Sequence, residues 1–180
     1  MKWLIASDLH GSAHHTRRLL HLFEAEQADR LLLLGDLLYH GPRNALPQEY
    51  DPRQVIALLS PLRDRILCVR GNCDAEVDQM VLPFPIMADY AVMPVGNRLM
   101  YCTHGHVHHS GHLPPLMPGD ILLHGHTHVP ICQQTETHVC LNPGSVSIPK
   151  EGSWHGYMTL EDGLFRWLDF GGECHREFRA

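Results

Sequence analysis

The chain opens with Met1-Lys2-Trp3-Leu4-Ile5-Ala6-Ser7-Asp8-Leu9-His10-Gly11. The apolar run Trp3–Ala6 has the length and continuity of a short β-strand that is buried on both faces. Asp8 and His10 follow this run, and Gly11 allows the backbone to turn sharply behind them. The opening therefore predicts a buried strand whose carboxyl end carries side chains that can bind a metal ion.

The same arrangement recurs further along the chain. Short apolar runs again lead into polar residues beside a glycine: Leu31–Leu34 before Gly35-Asp36, Ile66–Val69 before Gly71-Asn72-Cys73-Asp74, Leu99–Cys102 before Thr103-His104-Gly105-His106, and Ile121–Leu123 before Gly125-His126-Thr127-His128. Because the carboxyl ends of strands in an open α/β sheet meet at one crevice, we expect these polar side chains to lie close together.

Between the apolar runs the sequence predicts helices and a hairpin. An apolar stripe recurs at helical spacing in His14–Ala28, and Pro52–Leu59 begins with a proline, which suits the first turn of a helix. Glu161-Asp162-Gly163 is a turn signal between the apolar runs Tyr157–Leu160 and Leu164–Leu168. With 180 residues, the chain is expected to form a single α/β domain, residues 1–180, with two sheets and helices outside them.

Composition excludes several classes of protein. No apolar stretch approaches the ~18 residues of a membrane span, and a net charge of −6 disfavours a nucleic-acid polymer as partner. The first apolar run stops at Asp8, too early for a signal peptide, and the six cysteines include no C-x-x-C pair, so we expect a reduced, cytoplasmic protein. Histidine is unusually common: there are 16, and eight of them lie between His104 and His128.

The side chains predicted to converge have the composition of a metal centre. All are nitrogen or oxygen donors without a thiolate, which favours five- or six-coordinate divalent ions over a zinc–sulfur site. Seven side chains are too many for one ion, whereas two ions about 3.5–4 Å apart can share one carboxylate. Asp36, with its two oxygens, is the expected bridge.

Taken together, these motifs resemble the signature blocks of the calcineurin-like metallophosphoesterase superfamily, and in particular its small bacterial phosphodiesterases of the YfcE type. The segments His40–Pro47, Gly71–Met80 and Asn142–Lys150 support the narrower similarity, which fades after about Gly152. The resemblance implies a four-layer α/β fold, in which a two-sheet β-sandwich is flanked by helices. It also implies a metal-dependent phosphodiesterase, a phosphoric diester hydrolase acting on small substrates.

The resemblance further implies how the ligands are divided. Asp8, His10, Asp36 and His128 would bind the first ion, and Asp36, Asn72, His104 and His126 the second. Manganese is the usual activator of such enzymes, with zinc, iron and cobalt as alternatives.

The chain departs from the superfamily at one position, because Cys73 stands where a histidine commonly acts as the general acid. We expect Cys73 to be at best a weak acid, and Asp74 to orient its loop by hydrogen bonding. Arg43 is the candidate substrate-binding residue, since a guanidinium can hold a phosphate oxygen in a bidentate manner. The alternatives are that Cys73 is a small packing residue and that Arg43 is a solvated loop residue.

Two other functions fit parts of the pattern. A metal-inert scaffold is the first, because a eukaryotic retromer subunit shares this fold, but a scaffold has no reason to keep every ligand. A phosphomonoesterase or protein phosphatase is the second, and the absent histidine at Cys73 disfavours it. Self-association into a homo-oligomer through exposed strand edges stays open.

Overall fold

A computed structural model describes all residues, 1–180, and contains two β-sheets. The six-stranded sheet has the order β11-β10-β9-β1-β2-β3, and the five-stranded sheet has the order β4-β5-β6-β8-β7. The strands are β1 Trp3–Ala6, β2 Arg30–Leu33, β3 Ile66–Cys68, β4 Tyr90–Val95, β5 Arg98–Thr103, β6 Ile121–Leu123, β7 Pro130–Gln134, β8 Val139–Pro143, β9 Gly156–Glu161, β10 Leu164–Asp169 and β11 Cys174–Arg179.

Besides a 3₁₀ helix, Ser60–Arg65, two α-helices precede β3. They are α1, Ala13–Ala25, and α2, Pro52–Leu59, and a short α3, Glu76–Gln79, follows β3. Ser12 caps the start of α1, because its hydroxyl accepts a hydrogen bond from His15 N, and Asp51 caps the start of α2 by accepting from Gln54 N. The predicted helix over His14–Ala28 starts one residue earlier and ends three residues earlier, because the backbone of Gln27 has a φ of 51° and leaves the helix.

The apolar residues form two cores on the two faces of the six-stranded sheet. One core lies between the sheets and contains Ile5 and Leu32 from one sheet and Ile121 from the other. The second core lies under the helices and contains Leu4, Phe23, Val55 and their neighbours. Since Leu4 and Ile5 point to opposite faces, β1 is buried on both sides, as its continuous apolar sequence predicts.

The predicted α/β sandwich with helices outside it is confirmed. The outer face of its five-stranded sheet differs from that of the six-stranded sheet. No helix follows Gln79, so no helix covers the outer face of the five-stranded sheet. There the loop after β5 lies over the strands, and Tyr101 donates a hydrogen bond from its hydroxyl to the carbonyl oxygen of Pro115. Leu122 on this outer face is nevertheless fully buried.

Topology brings the predicted loops to one edge. Strands β1, β2 and β3 are parallel, as are β5, β6 and β8. Their carboxyl ends therefore point the same way within each sheet. Strand β11 was not anticipated from the sequence, because it is a mostly exposed, polar edge strand without an apolar run. None of the helices is long and apolar enough to cross a membrane.

Candidate metal centre

The loops at the strand ends adopt an unusual backbone conformation. Nine residues other than glycine have a positive φ, and five of them are predicted ligands: Asp8, His10, Asp36, His126 and His128, with φ between 49° and 66°. Side chains other than glycine rarely occupy this left-handed region, and such residues concentrate at functional sites. The tertiary structure therefore holds these loops in place against local preference.

Two glycines allow the loops after β2 and β3 to touch. A side chain on Gly35 would collide with the backbone of Gly71, and a side chain on Gly71 would collide with the carboxylate of Asp36. Gly35 also has a φ of 91°. The close approach puts Asp36 and Asn72 beside each other, although they are 36 residues apart in the chain.

Asp74 ties the same two loops together. Its Oδ2 accepts hydrogen bonds from Asp36 N at 2.8 Å and Gly71 N at 2.7 Å, and its Oδ1 accepts one from Leu37 N at 2.9 Å. Burial raises the pKa of Asp74, although these backbone hydrogen bonds favour the charged form. Asp74 is buried and does not line the cavity described below, so its geometry suits the orienting role expected from the sequence.

Four predicted ligands meet in what we call the first cluster: Asp8, His10, Asp36 and His128. His128 Nε2 lies 3.2 Å from His10 Nε2 and 3.2 Å from Asp8 Oδ1. His10 Nε2 lies 3.6 Å from Asp8 Oδ1 and 3.7 Å from Asp36 Oδ2. These four side chains come from three loops that are far apart in sequence, so the cluster is a product of the sheet topology.

The second cluster contains Asp36, Asn72, His104 and His126. His104 Nε2 lies 3.1 Å from Asn72 Oδ1, 3.2 Å from His126 Nδ1 and 3.4 Å from Asp36 Oδ2. The same oxygen of Asp36 therefore faces both clusters, while its other oxygen accepts a hydrogen bond from Cys73 N at 2.8 Å. All seven predicted ligands are thus brought together.

Backbone carbonyl groups orient three of the imidazoles. The Nδ1 atoms of His10, His104 and His128 lie 2.8, 2.7 and 2.6 Å from the carbonyl oxygens of Tyr39, Leu34 and Ile148. A carbonyl can only accept, so each Nδ1 carries the proton, and in the neutral ring each Nε2 presents a lone pair. These lone pairs point into the two clusters.

The donor set therefore fits cations. When the imidazoles of the first cluster are neutral, their nitrogen lone pairs face one another and a carboxylate oxygen, and Asp8 Oδ1 is buried without a hydrogen-bond donor. An unpartnered buried carboxylate oxygen is costly unless a cation balances it. Nitrogen and oxygen ligands of this kind suit divalent ions, and the shared Asp36 oxygen suits two of them.

The pKa values of the clustered side chains also indicate that the site attracts positive charge. Burial disfavours a charged His104, but the Asp36 and Asp8 carboxylates outweigh burial and raise the pKa of His104 to about 9. Burial would also raise the pKa of Asp8, yet contacts with His10 and His128 hold that pKa well below its usual value. Burial and the neighbouring His104 lower the pKa of His126 to about 4, so His126 is neutral at physiological pH.

The clusters open into a cavity of about 350 Å³. Arg43 and Cys73, two of the residues singled out in the sequence, line it, together with residues of both clusters. Burial and the nearby Asp36 carboxylate raise the pKa of Cys73 to about 12, so its thiol keeps its proton at neutral pH. Sequence reasoning missed Asn44 and Lys150 as lining residues, although both lie in segments that carry the family resemblance.

The histidines that are not predicted ligands lie outside the two clusters. His124 is a buried packing residue, with its ring nitrogens near Gly125 O and Cys140 Sγ. His106 is exposed and its ring lies 5.4 Å from that of His104. His109 and His112 pair through their backbones in the loop after β5. The excess of histidine is therefore only partly explained by the metal centre.

Comparisons with known proteins identify the family. The model of the calcineurin-like phosphoesterase superfamily domain matches residues 1–162. Phosphodiesterase YfcE of Escherichia coli K12 is 46% identical over 164 residues, which cover 91% of this chain and 89% of that protein.

Solved structures give the same result. A structure of YfcE, a phosphoesterase from E. coli, matches with a TM-score of 0.95 and 41% identity over 99% of both chains. Vps29 from Entamoeba histolytica, in a single-mutant form, matches with a TM-score of 0.64 and 20% identity over 100% of this chain and 99% of that one, a likeness of fold alone. Because the family match spans residues 1–162 and the similarity to YfcE spans nearly the whole chain, the protein belongs to the calcineurin-like phosphoesterase superfamily.

Proposed function

We propose that the protein is a phosphodiesterase that hydrolyses small phosphodiesters at a pair of divalent metal ions. The first cluster would hold one ion and the second cluster the other, with Asp36 shared between them. Manganese is the proposed ion, by analogy with related enzymes. The single domain over residues 1–180 also stays a proposal, as does a cytoplasmic location, which the six free cysteines support.

One observation carries this proposal. Imidazole, amide and carboxylate groups from five separate loops meet in two clusters, and one oxygen of Asp36 lies between them, 3.4 Å from His104 Nε2 and 3.7 Å from His10 Nε2. Packing alone does not require this convergence, since like partial charges repel unless a cation lies between them. A scaffold that acts only through contact with a partner protein would not need such a centre.

The residues of the chain then have distinct tasks. When bound, the two ions would supply a nucleophilic hydroxide, orient the phosphoryl group and balance the charge of the transition state. Arg43 at the wall of the cavity would hold a phosphate oxygen. Cys73 would be a poor proton donor to the leaving group, because its pKa of about 12 lies far above neutral pH. The enzyme should therefore favour diesters with good leaving groups.

The test combines metal analysis with hydrolysis. The purified protein is stripped with a chelator, reloaded with Mn²⁺ and assayed with bis(p-nitrophenyl) phosphate and with p-nitrophenyl phosphate. We expect two ions per chain, restored diesterase activity and slower hydrolysis of the monoester. Fewer than two ions together with no diesterase activity would overturn the proposal, and a faster monoester reaction would make the protein a phosphomonoesterase.

A further inference from the structure

The cavity above the metal centre contains two cations that no carboxylate neutralises. Arg43 and Lys150 both line it. The ion pairs formed by lysines and arginines involve other residues, and Lys2, the only other lysine of the chain, is paired with Glu26 at 2.5 Å. The one carboxylate among the lining residues is Asp36, whose oxygens already face Cys73 N and the clustered histidines.

Lys150 is held in place by the same segment that orients His128. Its backbone N–H donates to His128 O at 3.2 Å, and His128 Nδ1 donates in turn to Ile148 O at 2.6 Å. Ser153 closes the turn, because its Oγ and N donate to Lys150 O at 2.6 and 3.0 Å. The backbone that presents Lys150 is therefore fixed relative to the first cluster.

Arg43 approaches from a different segment. It lies in the loop Gly41–Asn44, in which Asn44 donates from Nδ2 to His40 O at 2.9 Å. A side chain on Gly41 would come within 3.3 Å of Cys73 Sγ, so this loop packs beside Cys73. The two cations thus reach the cavity separately, Lys150 from the His128 side and Arg43 from the Cys73 side.

The polarity of the cavity wall indicates which substrates would suit Arg43 and Lys150. Among the lining residues only Pro42 has a purely hydrocarbon side chain, so the wall offers little surface to an apolar substituent. A simple phosphodiester carries one negative charge, which the metal ions and Arg43 would already engage. A second cation favours a substrate with another anionic group, because Arg43 and Lys150, although exposed, have no carboxylate partner and would attract an anion beside them.

We propose that Lys150 forms a second anion-binding subsite, so that the preferred substrates are phosphodiesters whose retained alcohol carries a further phosphate or carboxylate. This inference rests on the proposed phosphodiesterase function. Lys150 acts on specificity in this scheme: it binds the substituent and takes no part in the cleavage of the P–O bond.

The test uses three p-nitrophenyl diesters with the same leaving group. Their second alcohols are ethanol, hydroxypropionic acid and ethylene glycol monophosphate, so the last two add a carboxylate or a phosphate. Lys150→Met should raise KM about tenfold for the anionic ester that the site prefers and leave kcat/KM for the ethyl ester unchanged. Lys150→Arg should restore the preference, and Arg53→Met, on the exposed face of α2, is the matched control for loss of a positive charge.

The two anionic esters distinguish the sources of the second charge. A selective loss with the phosphate ester assigns the subsite to phosphate, and a selective loss with the carboxylate ester assigns it to carboxylate. Equal effects of Lys150→Met on all three esters, or no effect on any of them, would overturn the inference.

A binding measurement keeps this inference separate from the proposed function. Calorimetric titration compares propylphosphonate with a propylene-bridged bisphosphonate, neither of which is hydrolysed. Wild-type protein should bind the bisphosphonate more tightly, and Lys150→Met should remove that gain while the bound metal content stays the same. If no ester is hydrolysed, the proposed function fails, whereas the titration still decides the subsite: an unchanged gain in Lys150→Met would overturn it.

Discussion

The two donor clusters share Asp36 but differ in how firmly the protein holds them. Asp8, His10 and His128 of the first cluster are all buried, and a backbone carbonyl orients each of its two imidazoles. In the second cluster, His104 is buried and oriented by Leu34 O. Its other members are less constrained: Asn72 is exposed, and His126 is half-buried without a partner for its Nε2.

The centre is therefore more rigid at the first cluster than at the second. Groups that orient a metal ligand typically contribute 10–100-fold to metal affinity. We therefore expect a tightly held ion in the first cluster and a more readily exchanged ion in the second. The second cluster also faces Cys73 and the Arg43 loop, so it is the side on which a substrate meets the less constrained part of the centre.

The largest effect should come from the residue that both clusters share. Asp36→Asn keeps an oxygen but removes the charge that faces His10 and His104. Diesterase activity should fall by about a thousandfold, and both ions should bind more weakly, as measured by initial rates and by metal titration. Asp64→Asn, which changes an exposed carboxylate, is the control. A variant at Asp36 with activity within tenfold of wild type would contradict the shared role.

The next comparison replaces one histidine from each cluster. His128→Asn should abolish the tight Mn²⁺ site, because it removes a buried and oriented ligand from the first cluster. His126→Asn should leave the tight site unchanged and weaken the Mn²⁺ affinity of the second cluster by a factor of about 10–100. Calorimetric titration with Mn²⁺ measures both constants. Equal losses in the two variants would show that the clusters do not differ.

A smaller effect is expected when the tie between the loops is weakened. Asp74→Asn replaces one of the two accepting oxygens by an NH2 group, so either Leu37 N or the pair Asp36 N and Gly71 N loses its acceptor. A buried backbone donor would lose its partner, so the free energy of unfolding should fall by about 1–3 kcal/mol. Urea titration measures this, and Mn²⁺ binding should weaken mainly in the second cluster. Unchanged stability would contradict the role of Asp74.

Arg43→Met tests the loop beside the second cluster. The guanidinium lines the cavity without an ion-pair partner, so its loss should raise KM for bis(p-nitrophenyl) phosphate about tenfold. The kcat value and the number of bound ions should stay the same, and Arg53→Met should have no effect. Unchanged kinetics in Arg43→Met would leave Arg43 as a solvated loop residue.

The smallest effect is expected at Cys73. With a pKa of about 12 its thiol is a weak acid, so Cys73→Ala should change rates on p-nitrophenyl diesters by less than about threefold. Diesters with alkyl leaving groups should respond more, and Cys73→His should accelerate them, because imidazole is a better proton donor near neutral pH. If neither variant changes the rates on alkyl diesters, Cys73 has no acid role.

Much of the fold could be predicted from the sequence because short apolar runs mark the buried strands. Strands β1 and β6 and helix α2 have the bounds that the sequence predicts, and the polar residues after five strands do lie together. This success follows from a topological rule, since parallel strands bring their carboxyl ends to one edge. The ligand roles of these residues stay predictions.

Other features depend on tertiary contacts that no local pattern records. Strand β11 pairs with β10 through its backbone, and its exposed side chains give no apolar signal. The carbonyl groups of Tyr39 and Ile148 orient histidines, but any residue type would offer the same oxygen. Lys150 is brought to the cavity by the contact of its turn with His128, which no local pattern in the sequence records.

The left-handed backbone conformations at the metal centre place the predicted ligands but lower the stability of the fold. A positive φ at a residue other than glycine costs about 1 kcal/mol or more, and Asp8, His10, Asp36, His126 and His128 all have one. Glycine would adopt the same conformation without that cost. A library of variants selected only for heat resistance should therefore collect glycine at these positions, and its members would lose hydrolysis as they gain melting temperature. The commonest stabilising substitutions at these positions would therefore be ones that abolish the enzymatic activity.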